Sequence, residues 1–275
     1  MIRKTAALAA AWLAATAFQA PPAAAPQMQM WRLDCGEVDI GNLDMFSDAF
    51  LYVGQKKTLT DSCYLIRHGE NYLLWDTGLP GELAGKTVSA DGMVLRVRSR
   101  ITEQLARIGV GPERVNFVGI SHRHDDHTGQ AADFPKAILL IGAEDFDTAK
   151  ARPETAARFA PWIKGSSKVE KLTGDRDVFG DGRVILLDTP GHTEGHHSLL
   201  VRLPRTGPVL LTGDLYHFTE NRRVRGVPGF NTDRADTLAS MDRFETIART
   251  LKARVIIQHE PADIAKLPAF PKAAE

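Results

Sequence analysis

Six consecutive residues, His122-Arg123-His124-Asp125-Asp126-His127, put three histidines and a usable carboxylate within reach of one another. Neutral imidazole nitrogen and carboxylate oxygen are the donors that borderline divalent metals such as zinc accept. His122 and His124, two residues apart in an open loop, can point at one ion, while Asp126 and His127 can turn toward a second. The hexad follows the apolar run Val115–Ile120, which reads as a buried strand ending where a loop can present side chains. A solvated polar loop gives no reason for so many ligand-type residues in so short a stretch.

Three more candidates fall at other strand ends. His192, within Thr189-Pro190-Gly191-His192-Thr193, follows the strand pattern Arg183–Leu187. Asp214, within Thr212-Gly213-Asp214, follows Val209–Leu211, and His259 follows Arg254–Gln258. Singly, each reads as a cap, a turn or a surface residue. Repeated placement of a ligand-type residue after a strand makes a set large enough for two ions.

The pattern H-x-H-x-D-H, a distant His, an Asp and a final His resembles that of the metallo-β-lactamase superfamily. The resemblance extends over nearly the whole chain after residue 25 and includes Asp76-Thr77-Gly78 ahead of the first helix. It implies an α/β fold, the four-layered αβ/βα sandwich, with two divalent metal ions between the ends of two sheets. It also implies that His122, His124 and His192 hold the first ion. Asp126, His127 and His259 would hold the second, and Asp214 would bridge them. Zn2+ is the expected metal, with Co2+, Mn2+ or Fe2+ as alternatives.

Two such ions, about 3.5–4 Å apart, can lower the pKa of a shared water toward neutrality and polarise a carbonyl for attack by the bridging hydroxide. Asp126 is expected to orient that nucleophile and to pass a proton to the leaving group. There is no Gly-x-Ser-x-Gly elbow to suggest a serine nucleophile. Redox members of the same superfamily replace the second histidine of the motif by Glu, so His124 favours hydrolysis.

Within the superfamily, the stretches Ser121–Gly129, Thr189–Ser198 and Thr212–Tyr216 are similar to those of N-acyl homoserine lactonases. The implied substrate is a small acylated lactone, and the implied role is quorum quenching. Asp214 separates the chain from the β-lactam-cleaving members, which carry other residues at that place. Many of the lactonases carry a Tyr three residues after the bridging Asp that hydrogen-bonds the substrate carbonyl. Here His217 occupies that position and Tyr216 precedes it, so either is a candidate for the contact and either could simply pack. Met45, Phe46 and Phe50 are expected to line an acyl-chain pocket, with packing beneath a long loop as the other reading. The rival functions are an organophosphate or phosphoester hydrolase, a β-lactamase, and a metal-binding protein without catalysis.

The elements that must position these residues are mostly strands. Trp31–Ile40, Ser62–Arg67, Tyr72–Trp75, Ala137–Ile141 and His197–Val201 join the strands already named. Ile101, Leu105 and Ile108 have helical spacing, with Gly109 as a stop. Leu238, Met241, Phe244, Ile247 and Leu251 form one stripe of a long helix beginning near Thr232 or Asp233. Strand pairs alternating with helices give a single domain over residues 26–275 that is not doubly wound. His68, His196 and His197 read as structural, since a partly buried strand-end histidine is commoner than one that supplies a supporting hydrogen bond, which His196 or His197 could do.

Bulk properties bound the rest. The 275 residues are 43% hydrophobic and 25% charged, with Lys plus Arg and Asp plus Glu equal at 34. No basic run suggests nucleic acid. Arg3 and Lys4, the Ala-rich apolar stretch Thr5–Phe18 and the small residues after Pro21 and Pro22 have the layout of a signal peptide over residues 1–25. Its removal deletes two positive charges and leaves a net charge near −2. A periplasmic or secreted destination follows, with no membrane contact after cleavage. Cys35 and Cys63 are the two cysteines. They could pair in an oxidising compartment or remain small buried thiols. Pairing of the chain as a homodimer is left open.

Overall fold

Alternation along the strands decides which side chain faces which layer. In the computed structural model, which describes residue 2 and residues 26–275, Cys63 and Leu65 on one strand face an outer layer of helices. Tyr64 and Ile66, between and after them, face a second sheet. The expected signal peptide lies outside the described residues except for Ile2.

The first sheet has eight strands. In chain order they are β1 (Met28–Ile40), β2 (Lys57–His68), β3 (Asn71–Trp75), β4 (Lys86–Ala90), β5 (Met93–Val97), β6 (Phe117–Gly119), β7 (Ile138–Gly142) and β8 (Val169–Leu172). Their spatial order is β4-β5-β1-β2-β3-β6-β7-β8. The second sheet contains β9 (Arg176–Asp177), β10 (Val184–Asp188), β11 (His197–Leu203), β12 (Gly207–Leu211) and β13 (Arg254–Ile256), ordered β13-β12-β11-β10-β9.

Leu199, Val201, Val209, Leu211 and Ile256 point from the second sheet at Met30, Tyr64, Ile66, Leu73 and Trp75 of the first. Leu200, Leu210 and Val255 point the other way, onto the helix Arg234–Leu251 through Met241 and Phe244. Each such aliphatic side chain, fully buried, contributes about 1.5–3 kcal/mol. With Ile101, Leu105, Phe146 and Trp162 covering the outer face of the first sheet, four layers result, αβ/βα. Asp233 caps the long helix by accepting from the Asp236 N–H at 2.8 Å, and Lys252 ends it in the left-handed region. The stripe and start expected from the sequence are those observed.

One hairpin is not apparent from the strand pattern. β4 and β5 pair antiparallel around Asp91-Gly92, both at positive φ (52° and 78°), and β5 extends the first sheet by pairing with β1. Asp-Gly is a strong turn signal, because a two-residue type I′ hairpin loop needs positive φ at both positions. The two cysteines form a disulfide between β1 and β2. Among the described residues no helix is long and apolar enough to cross a membrane.

Candidate metal centre

Five strands deliver polar residues from their C-terminal ends to one edge of the sandwich. Asp76 follows β3, His122 follows β6, His192 follows β10, Asp214 follows β12 and His259 follows β13. The parallel pairs β3–β6 and β12–β13 bring these ends side by side. The short helix Asp125–Thr128 turns Asp126 and His127 inward after His122 and His124.

Two groups form there: His122, His124, His192 and Asp214, and Asp126, His127 and His259. In the first, Nε2 of His122, Nδ1 of His124 and Nε2 of His192 make a triangle with edges of 3.0, 3.0 and 3.2 Å. In the second, Nε2 of His127 and Nε2 of His259 are 3.2 Å apart, and Asp126 Oδ2 stands 3.9 and 3.8 Å from them. Asp214 gives one oxygen to each group. Its Oδ2 lies 3.6 and 3.4 Å from His122 and His192, and its Oδ1 lies 3.1 and 2.9 Å from His127 and His259.

These contacts test whether divalent ions fit. Asp214 Oδ1 is buried and has no hydrogen-bond partner, although two imidazole nitrogens lie about 3 Å away. The rings are therefore not aimed at the oxygen. Three ring nitrogens at mutual hydrogen-bond distance also cannot all be satisfied by protons. Donors at about 2.0–2.1 Å from a common tetrahedral centre would stand about 3.3–3.4 Å apart, close to the spacing seen. The donor set fits two divalent metal ions.

The other nitrogen of most of these rings is held from behind, which fixes the tautomer and aims the free lone pair. His127 Nδ1 is 2.9 Å from Asp76 Oδ2, His259 Nδ1 donates to the Thr60 carbonyl at 2.8 Å, and His192 Nδ1 is 2.9 Å from Asn231 Oδ1. His122 Nδ1 is 3.0 Å from Ser121 Oγ. Asp76 also accepts from the Ser121 N–H and from Gln258 Nε2. His196 accepts the backbone N–H of Asp214 at Nε2, 2.9 Å away. Gly213 allows this approach: its φ is +53°, and a Cβ there would lie 2.6 Å from that nitrogen. Asn231, Thr60 and Gln258 carry no signal of these roles in the sequence. Asp76, in the turn Asp76-Thr77-Gly78, carries a visible one.

Electrostatics separates the two groups. Burial pushes the imidazoles of His122 and His192 well below the usual histidine value and lowers His124 too, leaving neutral donors. Burial also opposes charge on His127 and His259, but Asp214, Asp126 and, for His127, Asp76 outweigh it. They raise His127 well above its ordinary value and His259 to about 9. Burial works against the Asp214 carboxylate as well, yet the surrounding histidines hold it far below the usual range.

The remaining expected site residues divide. Met45, Phe46 and His217 line the cleft that opens onto both groups, and His217 Nε2 is 3.0 Å from Asp214 Oδ2. Phe50 does not join them. It sits at positive φ in an outer turn with 77% of its surface exposed. Tyr216 is also corrected: its ring packs with Phe244 beneath the long helix, on the far face of the second sheet. After the turn Gly213–Leu215 the chain is extended at Tyr216, so the residue that follows Tyr216, His217, faces the cleft. His68 stacks on Phe179 and pairs with Asp181, apart from the centre.

A four-layered sandwich with these two groups at its edge defines a class. The chain belongs to the Metallo-beta-lactamase superfamily, whose family model matches residues 59–259. More particularly, it is 30% identical over 233 residues to the N-acyl homoserine lactonase AttM of Azorhizobium caulinodans, covering 76% of this chain and 84% of that relative. A crystal structure of a quorum-quenching N-acyl homoserine lactone hydrolase aligns with a TM-score of 0.77 at 25% identity, covering 91% of this chain and 99% of the other. A second structure of an N-acyl homoserine lactone hydrolase, with the product N-hexanoyl-L-homoserine bound at the catalytic metal center, aligns with a TM-score of 0.76 at 25% identity, covering 91% of this chain and 100% of the other.

Proposed function

We propose that this protein is an exported metal-dependent hydrolase that opens the ring of N-acyl homoserine lactones to the open-chain acid. The observation that carries the reading is one cleft of about 540 Å³ whose floor is His124, Asp126, Asp214, His217 and His259. Its walls are mostly aliphatic, Val38, Ile40, Leu59, Leu79, Met93 and Leu95, with Phe46 and Phe230 confined to the end beside His217. A polar ring beside the ligand groups and an acyl tail along those walls would fill both halves. Such walls suit an acyl chain better than the compact aromatic pocket an aryl phosphoester would favour.

His122, His124, His192 and Asp214 would hold one ion and Asp126, His127, His259 and Asp214 the other. Three neutral histidine nitrogens in a near-tetrahedral array favour Zn2+. When bound, the two ions supply an acidified water and polarise the lactone carbonyl. The chain's own residues do the rest. The Asp126 carboxylate, still 31% exposed toward the cleft, takes a proton from the attacking water and returns it to the ring oxygen as the acyl–oxygen bond breaks. The imidazole N–H of His217 donates to the carbonyl oxygen as negative charge builds there. Packing against Phe46 and Phe230 fixes that ring's position.

Export is supported by the N-terminal pattern and by the Cys35–Cys63 disulfide, which suits an oxidising compartment. The test is acid release from short- and long-chain N-acyl homoserine lactones by the metal-loaded protein. Paraoxon and a chromogenic β-lactam belong in the same panel, with Asp126→Asn as the control. Fast lactone opening lost in Asp126→Asn establishes the reading. A protein that holds two metals and opens no lactone overturns it, and turnover of paraoxon would then put the phosphoester reading in its place.

A further inference from the structure

Asp145 is wholly buried in the first turn of the helix Ala143–Ala151, yet it belongs to neither ligand group. Its two oxygens receive four hydrogen bonds. Oδ2 accepts from the Arg123 N–H at 3.0 Å and from Thr193 Oγ1 at 2.7 Å. Oδ1 accepts from Arg123 Nη1 at 2.6 Å and from the Gly195 N–H at 3.3 Å. Arg123 stands between His122 and His124, and Thr193 follows His192. Each loop that brings a nitrogen to the first triangle thus gives Asp145 two hydrogen bonds.

The backbone is shaped for this. Gly142, just before the helix, packs on Gly195 so closely that a Cβ on it would lie 2.1 Å from the Gly195 carbonyl oxygen. Only glycine there lets the start of the helix touch the His192 loop. Outside, Arg123 Nη1 also reaches Glu194 Oε2 at 2.6 Å, a second strap across the same two loops. A buried carboxylate is costly unless fully paired, and here the pairing is complete on both sides. The second group is anchored by other residues, Asp76 behind His127 and Thr60 behind His259.

We propose that Asp145 is a positioning residue that sets the spacing between the His122–His124 loop and His192, and so the metal affinity of the first group alone. This rests on the two-metal assignment above but not on the substrate. The nitrogen triangle has edges of 3.0–3.2 Å. A few tenths of an ångström of drift between the loops would spoil it while leaving Asp126, His127 and His259 in place.

The experiment compares the parent protein with Asp145→Asn and Thr193→Val. Zn2+ per chain and the two stepwise dissociation constants come from competition with a chromogenic chelator. Visible absorption of the Co2+ form reports coordination, and His192→Ala and His259→Ala identify which step belongs to which group. In Asp145→Asn the first group is expected to weaken about 10–100-fold, the range typical for loss of a supporting hydrogen bond, while the second holds. Thr193→Val should shift the same step by less. Constants within about twofold of the parent, or equal weakening at both groups, would overturn the proposal. If Asp145→Asn does not fold, Thr193→Val decides by the same ratio. If the parent binds two ions but opens no lactone, the positioning role stands and only the substrate falls.

Discussion

Nε2 of His217 lies 3.0 Å from Oδ2 of Asp214, although its neighbour Tyr216 points to the opposite face of the second sheet. On the proposed reading, that opposition leaves His217 as the candidate of the pair for the oxyanion contact. His217→Phe keeps an aromatic ring against Phe46 and Phe230 but loses the N–H. Its kcat for lactone opening is expected to fall about 10²–10³-fold, as for removal of one oxyanion donor. Tyr216 Oη is buried without a hydrogen-bond partner, so Tyr216→Phe should leave kcat and Tm near the parent values. Steady-state kinetics on both variants check this, and a large kcat loss in Tyr216→Phe would reverse the assignment.

Asp76 carries more than one burden. It sits at φ 56°, a backbone conformation Asp and Asn tolerate better than most residues. From there it meets the Ser121 N–H, His127 Nδ1 and Gln258 Nε2. Asp76→Ala would strip the Ser121 N–H of its acceptor and leave His127 Nδ1 and Gln258 Nε2 only Ser121 Oγ and the Ser62 carbonyl, and is expected to cost about 3–5 kcal/mol of stability. It should also weaken binding at the second ligand group. Asp76→Asn, which can occupy the same backbone conformation, should lose less stability while still disturbing His127. Urea unfolding and metal content of the two variants separate these effects.

The ligand residues are legible in the chain because each follows a strand, and strands show as apolar runs. Apart from Asp76 and His196, their support is not legible. Thr60 and Asn231 reach His259 and His192 from loops and strands far away in sequence, through contacts that leave no periodic trace. Asp145 looks like any acid in the first turn of a helix. The facing of Tyr216 and His217 depends on a single tight turn after β12, so spacing from Asp214 could not choose between them. The apolar character of Phe50 points to the pocket. The turn around it instead leaves the ring in solvent, while Met45 and Phe46, in the helical turn Leu43–Phe46, reach the cleft. The β4–β5 hairpin could have been found from Asp91-Gly92, and it supplies Met93 and Leu95 to the cleft wall.

That wall should set acyl-chain preference. Met93→Trp would fill the aliphatic side of the cleft without touching the ligand groups. At about 0.8 kcal/mol per buried methylene, excluding three methylenes costs about 2.4 kcal/mol, roughly 50-fold in kcat/KM. Decanoyl homoserine lactone should lose about that much, and butanoyl homoserine lactone little. Equal losses on both substrates would mean that the acyl chain lies elsewhere.

The disulfide should govern stability more than chemistry. Cys35 and Cys63 close a 28-residue separation between β1 and β2, and this span carries Met45 and Phe46 but no residue of either ligand group. A loop of that size corresponds to about 3–4 kcal/mol in the chain-entropy account. For a domain of this length, that is a drop in Tm of about 10 °C. The double variant Cys35→Ala, Cys63→Ala should show this drop by calorimetry, and so should the parent after reduction. Both are expected to bind two metals and to open short-chain lactones at the parent's rate at 25 °C. Loss of metal on reduction would instead tie the β1–β2 link to the ligand groups, through the Thr60 carbonyl that holds His259.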